Sequence, residues 1–463
     1  MIRSFLVCLT GLALLAPAAA EERVELVADI DPGPSGGGVS FLTVYNDALY
    51  FRANSLPHGN DVELWRYDGV STIRVADIKP GPTGSDPSDL AVYNGRLYFA
   101  ASGASGPSRL YQYDGNSVTL TPGCTASQSP EDLFVFGGNL MFRAAAFGSY
   151  GIELWKYNGA GQTVIDLWPG TGSSGPKEFV EYNGELYFNA VRQEFFRLNA
   201  SATGATQVTD IANGNGSSPE SPAVYNGDLY FSANEGEHGR ELWRYNNGSP
   251  VMVADICPGG PYDSSNPSGL TVYRTTLYFS ADDGVNGCEL WCYDGVSAWM
   301  VANINPRPFE PYIDPVHHSF PMDLFVFRDT LYFSADDGEH GRELWSYDGR
   351  GARLVADINP GPYGSEVGGF AEYRGELYFR ADNGALGGEL TSVQAPPALF
   401  RIMAVEGDVN GDGCVNVADL LLVRNSLGRE GSGLQADVCG NDSLVNAADL
   451  LFVRNRLGTG ACE

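Results

Sequence analysis

Short apolar and aromatic runs, each bounded by turn residues, recur in one fixed order from Val24 to Val393. In "VYNGRLYF" (residues 92–99) an Asn-Gly pair separates two β-rich stretches. Both turn residues must adopt positive φ, which makes this pair a strong hairpin signal. "ELWRYDG" (residues 63–69) ends in Asp-Gly, a second reversal, and leads into the apolar "IRVADI". "PGPTGS" (residues 80–85) then breaks the ladder with Pro and Gly, as a crossing to the next unit requires. One cycle therefore predicts four antiparallel strands.

Four phrases complete eight cycles with a mean period of about 47 residues, the size of a four-stranded supersecondary unit. "VADIxPGP" begins at Val27, Val75, Val253 and Val355, with looser forms at Val164, Val208, Val301 and near Leu120. "LYF" begins at Leu49, Leu97, Leu186, Leu229, Leu277, Leu331 and Leu377, with "LMF" at Leu140. "ELW" begins at Glu63, Glu153, Glu241, Glu289 and Glu343, with variants at Arg109, Glu194 and Glu389. Bulky groups alternate on both faces, Leu49 and Phe51 against Tyr50, so each sheet needs cover on both sides. Stacking sheets around an axis supplies it. The fold expected for residues 21–394 is thus mainly β: an eight-bladed β-propeller of four-stranded antiparallel blades, with an open solenoid as the alternative. The N-terminal "VADI" strand is expected to complete the last blade, in competition with "ALFRIMAV" (residues 398–405), and residues 395–406 read as a linker. The wording resembles the bacterial "ELWxxDGT" repeat over residues 24–393, which implies an exported or cell-surface repeat protein and says little about chemistry. Repeats two and four depart from it, with "RLYQYDG" at Arg109 and "EFFRLN" at Glu194.

The vocabulary changes after this region. "DVNGDGCVNVAD" sets Asp408, Asn410, Asp412, Asn416 and Asp419 at positions 1, 3, 5, 9 and 12 of a loop, with Gly413 at 6 and the Cys414 carbonyl at 7. That is the EF-hand spacing, which wraps hard oxygen ligands around Ca²⁺. After the apolar helical stretch "ADLLLVRNSLG" comes a second copy, one residue longer, with Cys439 at position 3; Asp437, Asn441, Asn446 and Asp449 are its candidate ligands. Paired loop-then-helix units ending in Asp resemble the type I dockerin over residues 407–458. The resemblance implies a small α-helical calcium-binding domain, here residues 407–463, that docks onto a cohesin-like or cell-surface protein, often in polysaccharide-degrading systems. Val417-Ala418 and Ala447-Ala448 stand where that family usually carries a Ser/Thr pair for its partner. A calcium-stapled cap or an anchor on the protein's own surface is the other reading of this module.

Composition narrows the partners. Acids outnumber bases 57 to 28 for a net charge of −29, which disfavours nucleic acid and anionic membranes and suits cations. The first 20 residues, with Arg3, an apolar core and Ala18-Ala19-Ala20, read as a signal peptide, and no later run reaches the length that spans a bilayer. A secreted or cell-surface location follows. Without Cys8 seven cysteines remain, an odd number, and Cys257 with Cys288 or Cys292 is the favoured bridge.

The chemistry outside the calcium loops is diffuse. His58, His238 and His340 share one loop of the repeat, so they read as repeat furniture, whereas His317 and His318 lie in the long sixth interval. Acidic loops such as Asp282-Asp283-Gly284 and Asp336-Asp337-Gly338 suit turns first and Ca²⁺ second. Trp65, Trp155, Trp243, Trp291 and Trp345 recur at one phrase and read as packing between blades, with a sugar-stacking surface as the alternative. Glu310 and Asp314 are the acids outside the repeat wording that a glycosidase would need. The leading reading is a secreted, non-enzymatic recognition protein tethered by its calcium module. A carbohydrate-active enzyme or its accessory subunit is the second.

Overall fold

A computed structural model of the chain describes residues 23–28, 30, 38–54, 61–124, 127–146, 151–306, 318–382, 384 and 398–403. Among them the structure is β throughout, apart from one 3-10 turn, Val191–Gln193. The strands form eight four-stranded sheets. In the first, Ser40–Tyr45, Ala48–Asn54, Val62–Tyr67 and Thr72–Ala76 pair antiparallel in chain order. The next six sheets repeat that plan.

Local chemistry sets the turns. Asn94 and Gly95 take φ of 46° and 71°, and Asn226-Gly227 and Asn183-Gly184 do the same, as a two-residue primed turn demands. In the second reversal the Asp68 carboxylate accepts from the N–H groups of Val70 and Ser71, which holds Gly69 at φ 92°. One feature lacked a signal in the wording: every first strand carries a bulge. Its register slips at the same place in all eight sheets, where Phe41, Asp89, Asp132, Glu178, Ser221, Gly269, Asp323 and Gly369 all have positive φ. Bulges sharpen twist and re-aim side chains.

Consecutive sheets stack in a propeller-like series. The "LYF" phenylalanines, among them Phe51, Phe99, Phe231, Phe279, Phe333 and Phe379, are 0% exposed. A triad of tyrosines marks each of six junctions. Tyr45 and Tyr50 of the first sheet meet Tyr113 of the second at 6.2 and 5.7 Å, and Tyr45 Oη donates to the Gly95 carbonyl of that sheet at 3.0 Å. Trp65, Trp155, Trp243, Trp291 and Trp345 all pack in apolar clusters that join neighbouring sheets, the packing role the spacing suggested.

The series closes on itself. Tyr373 Oη of the eighth sheet donates to the Asp47 carbonyl of the first at 2.8 Å, the Arg374 guanidinium meets the Asp47 carboxylate at 2.6 Å, and Tyr67 packs on Tyr373 and Tyr378. An open solenoid would leave these faces apart. The eighth sheet has the order Arg23–Ala28, Ala398–Met403, Glu376–Ala381, Gly368–Tyr373. The N-terminal strand and its competitor are thus both used, one beside the other. Residues 398–403, expected within a linker, supply the third strand; the Glu389 phrase lies outside the described residues. Leu26–Arg401 forms one compact unit.

The glutamate of "ELW" fastens each sheet to the connection that leaves it. Glu63, 0% exposed, accepts from the N–H groups of Ile78, Lys79 and Ser85 at 3.1–3.2 Å and from Ser85 Oγ at 2.6 Å. Glu241 holds Ile256 N–H, Ser265 N–H and Ser265 Oγ at 2.8, 2.9 and 2.5 Å, and Glu153, Glu289 and Glu343 repeat the arrangement. The same serine reaches forward: its carbonyl accepts an N–H from the next sheet, Ser102 to Ser85 at 2.7 Å and Asp282 to Ser265 at 2.9 Å. These glutamates therefore do not turn the chain. Removing one leaves several buried donors without an acceptor, each costing on the order of 1–3 kcal/mol. Glu343→Ala is expected to destabilise the fold by about 3 kcal/mol or more and Ser365→Ala by about 1 kcal/mol, read as shifts in the denaturant midpoint. Equal losses would show that the carboxylate adds nothing beyond the serine.

Candidate functional site

The acidic loops, read as turns first and Ca²⁺ sites second, satisfy their carboxylates internally. Asp336 Oδ1 accepts from Gly338 N–H at 2.6 Å, Asp337 Oδ1 from Glu339 and His340 N–H at 2.8 and 2.9 Å, and His340 Nδ1 sits 2.8 Å from Asp337 Oδ2. Asp282 and Asp283 bind Gly284, Val285 and Asn286 in the same way, and His238 pairs with Glu235 of its own loop. His318 Nδ1 accepts the Cys288 N–H at 2.8 Å, and its ring stacks on Phe320 at 4.6 Å. His58 and His317, like Glu310 and Asp314, lie outside the described residues. Asp61, Glu63 and Asp77 form an acidic cluster, but Arg74 already bridges Asp61 at 2.7 Å and Asp77 at 3.7 Å.

The cysteine expectation is corrected. Cys124, Cys257, Cys288 and Cys292 are all free and buried, and Ser280 Oγ contacts Cys288 Sγ at 3.0 Å. Cys292 packs with Leu290 in the apolar cluster that joins the sixth and seventh sheets; its thiol, like that of Cys124, is pushed by burial up to about 12, so both behave as small apolar groups.

The bulges create a site of a different kind. Asp132 and Glu178 occupy equivalent bulges on the third and fourth sheets and line a cleft of about 370 Å³ with Phe134, Phe136, Phe179 and Val180. Phe134 and Phe179 meet at 4.6 Å. Burial raises the carboxyls of both acids. The neighbouring Asp89 and Glu131 charges push Asp132 further up while Arg143, at 2.8 Å, pulls it down; for Glu178 the Ser221 N–H, at 2.7 Å, is the chief opposing influence. Asp89 Oδ1 in turn accepts the Asp132 N–H at 3.0 Å. Three acids from three sheets thus converge along the first strands, and none belongs to the repeated wording. Sequence reasoning sought such acids in the long sixth interval. The charge of the bulge residue varies from sheet to sheet, from Asp89, Asp132, Glu178 and Asp323 to Phe41, Ser221, Gly269 and Gly369.

The geometry defines a propeller-like β protein. Residues 406–458 match the Dockerin type I domain, so the C-terminal module is detected as such. The candidate ligands Asp408, Asn410, Asp412, Cys414, Asn416, Asp419, Asp437, Asn441, Asn446 and Asp449 all lie outside the described residues. No curated protein matches the chain. Among solved structures it is similar to the computationally designed protein Ika8 (10% identity, TM-score 0.48, 81% of this chain and 99% of that one). Saccharomyces cerevisiae Sqt1 (11%, 0.46, 84% and 99%) and the β-propeller domain of the Trilobed protease from Pyrococcus furiosus (9%, 0.40, 69% and 95%) are also similar. The chain spans 58% of a puromycin-hydrolyzing peptidase from Mycobacterium tuberculosis, at 11% identity, a TM-score of 0.44 and 75% coverage of this chain. Among the described residues no helix is long and apolar enough to cross a membrane.

The buried glutamates give the fold a pH signature. Burial raises Glu63, Glu153 and Glu241, and lifts Glu289 and Glu343 up to about 7, against the pull of the hydrogen bonds they accept. A carboxyl raised in the folded state binds its proton more tightly there, so stability falls as pH rises from the ordinary value of 4.5 through about 7. His238 and His340, raised by Glu235 and Asp337, lose stability in the same direction. Asp47, Asp68, Asp114, Asp294 and Asp329 are lowered by their hydrogen bonds, and their contribution is lost as pH falls through the acid range. The melting temperature is therefore expected to peak at about pH 5 and to decline towards pH 8, with a shallower decline in Glu289→Gln/Glu343→Gln. An unchanged slope in that double variant would show both carboxyls ionised throughout.

Proposed function

We propose that the chain is a secreted recognition protein, in which an eight-bladed β-propeller spanning most of residues 21–403 presents a binding surface and the dockerin module tethers it. The observation that carries this reading is the dockerin match over residues 406–458 together with the complete oxygen set of its first loop. Dockerins bind cohesins, so a cohesin-like or cell-surface protein is the partner. The donor chemistry fits Ca²⁺: Asp408, Asn410, Asp412, the Cys414 carbonyl, Asn416 and Asp419 would hold one ion, and Asp437, Asn441, Asn446 and Asp449 a second, weaker one. Bound Ca²⁺ would neutralise the clustered carboxylates of each loop. Val417-Ala418 and Ala447-Ala448 replace the usual hydroxyl pair, so the partner is expected to present an apolar complement.

Calcium titration of the full chain by calorimetry tests the module. Two transitions of unequal affinity are expected, with Asp408→Ala/Asp419→Ala abolishing the tighter one and cutting capture of a cohesin panel by at least about tenfold. Absence of any heat at millimolar Ca²⁺ would remove the calcium reading, and unaltered capture in the variant would remove calcium-dependent docking.

A second reading, a carbohydrate-active propeller, is favoured by the Asp132–Glu178 cleft. Two carboxyls of raised pKa in a half-buried hollow are what acid-assisted glycoside cleavage employs. Release of reducing ends from polysaccharide by the native chain, lost by a factor of about 100 or more in Glu178→Gln, is the outcome this reading requires. No release from any substrate leaves recognition as the function.

A further inference from the structure

The fourth sheet breaks the repeat where its second strand turns into its third. Leu186 is followed by Glu194, whereas Leu229, Leu277 and Leu331 are followed by Glu241, Glu289 and Glu343, so this connection is four residues shorter than its counterparts. The loop that carries "EGEHG" in the fifth sheet is reduced to the turn Val191–Gln193, in which Arg192 and Gln193 hold φ of 67° and 57°. Left-handed conformations at two consecutive non-glycine residues are strained and persist only where the surroundings fix them. They are fixed: Gln193 accepts the Ser218 N–H at 2.8 Å through its carbonyl, its side chain bonds Ser218 Oγ, and Gly216 lies so close to the Arg192 carbonyl that a Cβ there would stand 2.4 Å away.

Two hollows lie along the crossings that flank the fourth sheet, and the turn lines the first of them. One, of about 520 Å³, lies towards the third sheet and is bordered by Trp168, Ser173, Lys177, Arg192 and Gln193. The other, of about 290 Å³, lies towards the fifth sheet, beside Ser218, Glu235 and Arg240. A second departure from the repeat falls on the same spot. Trp168 occupies the variable position of "VADIxP", where other units carry Lys79, Cys257, Asn305 or Asn359. Unlike the "ELW" tryptophans Trp155, Trp243, Trp291 and Trp345, which are buried, it is 43% exposed. Gly172 seats it, since a Cβ at that residue would stand 2.4 Å from the indole Cδ1.

We infer that this groove is a binding site for a neutral oligosaccharide, with a pyranose ring stacked on Trp168 and its hydroxyls bonded to Arg192 and Gln193. The inference rests on the recognition role proposed for the propeller and names its ligand class. An indole plate offers a flat apolar face, and a sugar ring offers a matching apolar face ringed by hydroxyls. The groove surrounds that plate with guanidinium, amide and hydroxyl groups, while Val191 is its one branched aliphatic side chain, so it lacks the apolar pockets that anchor peptide side chains. Charge selects a neutral chain: the Lys177 ammonium is already engaged by Glu220 at 3.3 Å, and a net charge of −29 repels polyanions.

Isothermal titration of the full chain with cellohexaose, xylohexaose, mannohexaose and hexagalacturonate, each in Ca²⁺ and in EDTA, tests it. Saturable binding of at least one neutral hexasaccharide is expected, weakened about tenfold or more by Trp168→Ala and several-fold by Arg192→Ala, at unchanged near-ultraviolet dichroism. Should Trp168→Ala fail to fold, grafting the fifth-sheet loop "EGEHG" in place of residues 191–193 refills the groove and is expected to abolish binding. Titrations without heat for every neutral sugar, equal affinity in the Trp168 variant, or preferential binding of hexagalacturonate would each overturn the assignment. Sugar binding in both media while cohesin capture fails even in Ca²⁺ would sink calcium docking alone, and capture in Ca²⁺ without any sugar binding would sink the groove alone.

Discussion

A buried carboxylate that reaches across about twenty residues of chain is the contact on which the rest of the architecture depends. In each sheet that has the "ELW" glutamate, one carboxyl group collects backbone N–H groups from the outgoing connection and a serine hydroxyl at its end. Those N–H groups belong to a Pro/Gly-rich crossing that has no ladder to satisfy them, and burying them unpaired would cost more than the sheet stacking could offset. The serine's carbonyl then takes an N–H of the next sheet, so each latch sets the position of its neighbour. The fourth sheet keeps the device with Glu194, Thr209 and Ser217, even though its wording has diverged.

Because the repeat handles its own polar groups, its loops can vary without loss of the ring. The acids of the loops before the third strands serve the turn next to them, and many cations sit beside an acid of an adjacent strand or sheet, as Arg274 does with Asp329 and Arg374 with Asp47. Sheets differ from one another at the bulge residue of the first strand, at the connection between second and third strands and at the crossing to the next sheet, and such departures gather at the third and fourth sheets. That region holds the Asp132–Glu178 cleft and, on the far side of Lys177, the groove beneath Trp168.

Some expectations needed correction because they extrapolated local wording to three dimensions. The favoured cysteine bridge paired Cys257 with Cys288 or Cys292, yet all three stay free in the folded chain. The closing strand was framed as a choice between the N-terminal "VADI" and "ALFRIMAV"; the eighth sheet has room for both, since its third place was open to a strand from after residue 394. Arg192 and Gln193 could not be read as a feature at all, since nothing in "AVRQEF" marks residues forced to positive φ.

By itself the sequence determined the strands, their turns and the number of sheets, and set the ligand spacing on which the calcium proposal rests, because each follows from residues a few positions apart. Asn-Gly selects its turn, alternating bulk selects a two-sided strand, and oxygen ligands at fixed offsets select an ion. Only the tertiary structure decided which serine each glutamate would hold, where the first strands would bulge, and which sheets would part to leave a cleft. Those outcomes depend on the twist of whole sheets and on the fit between neighbours, and a repeat of nearly identical words carries no local record of them.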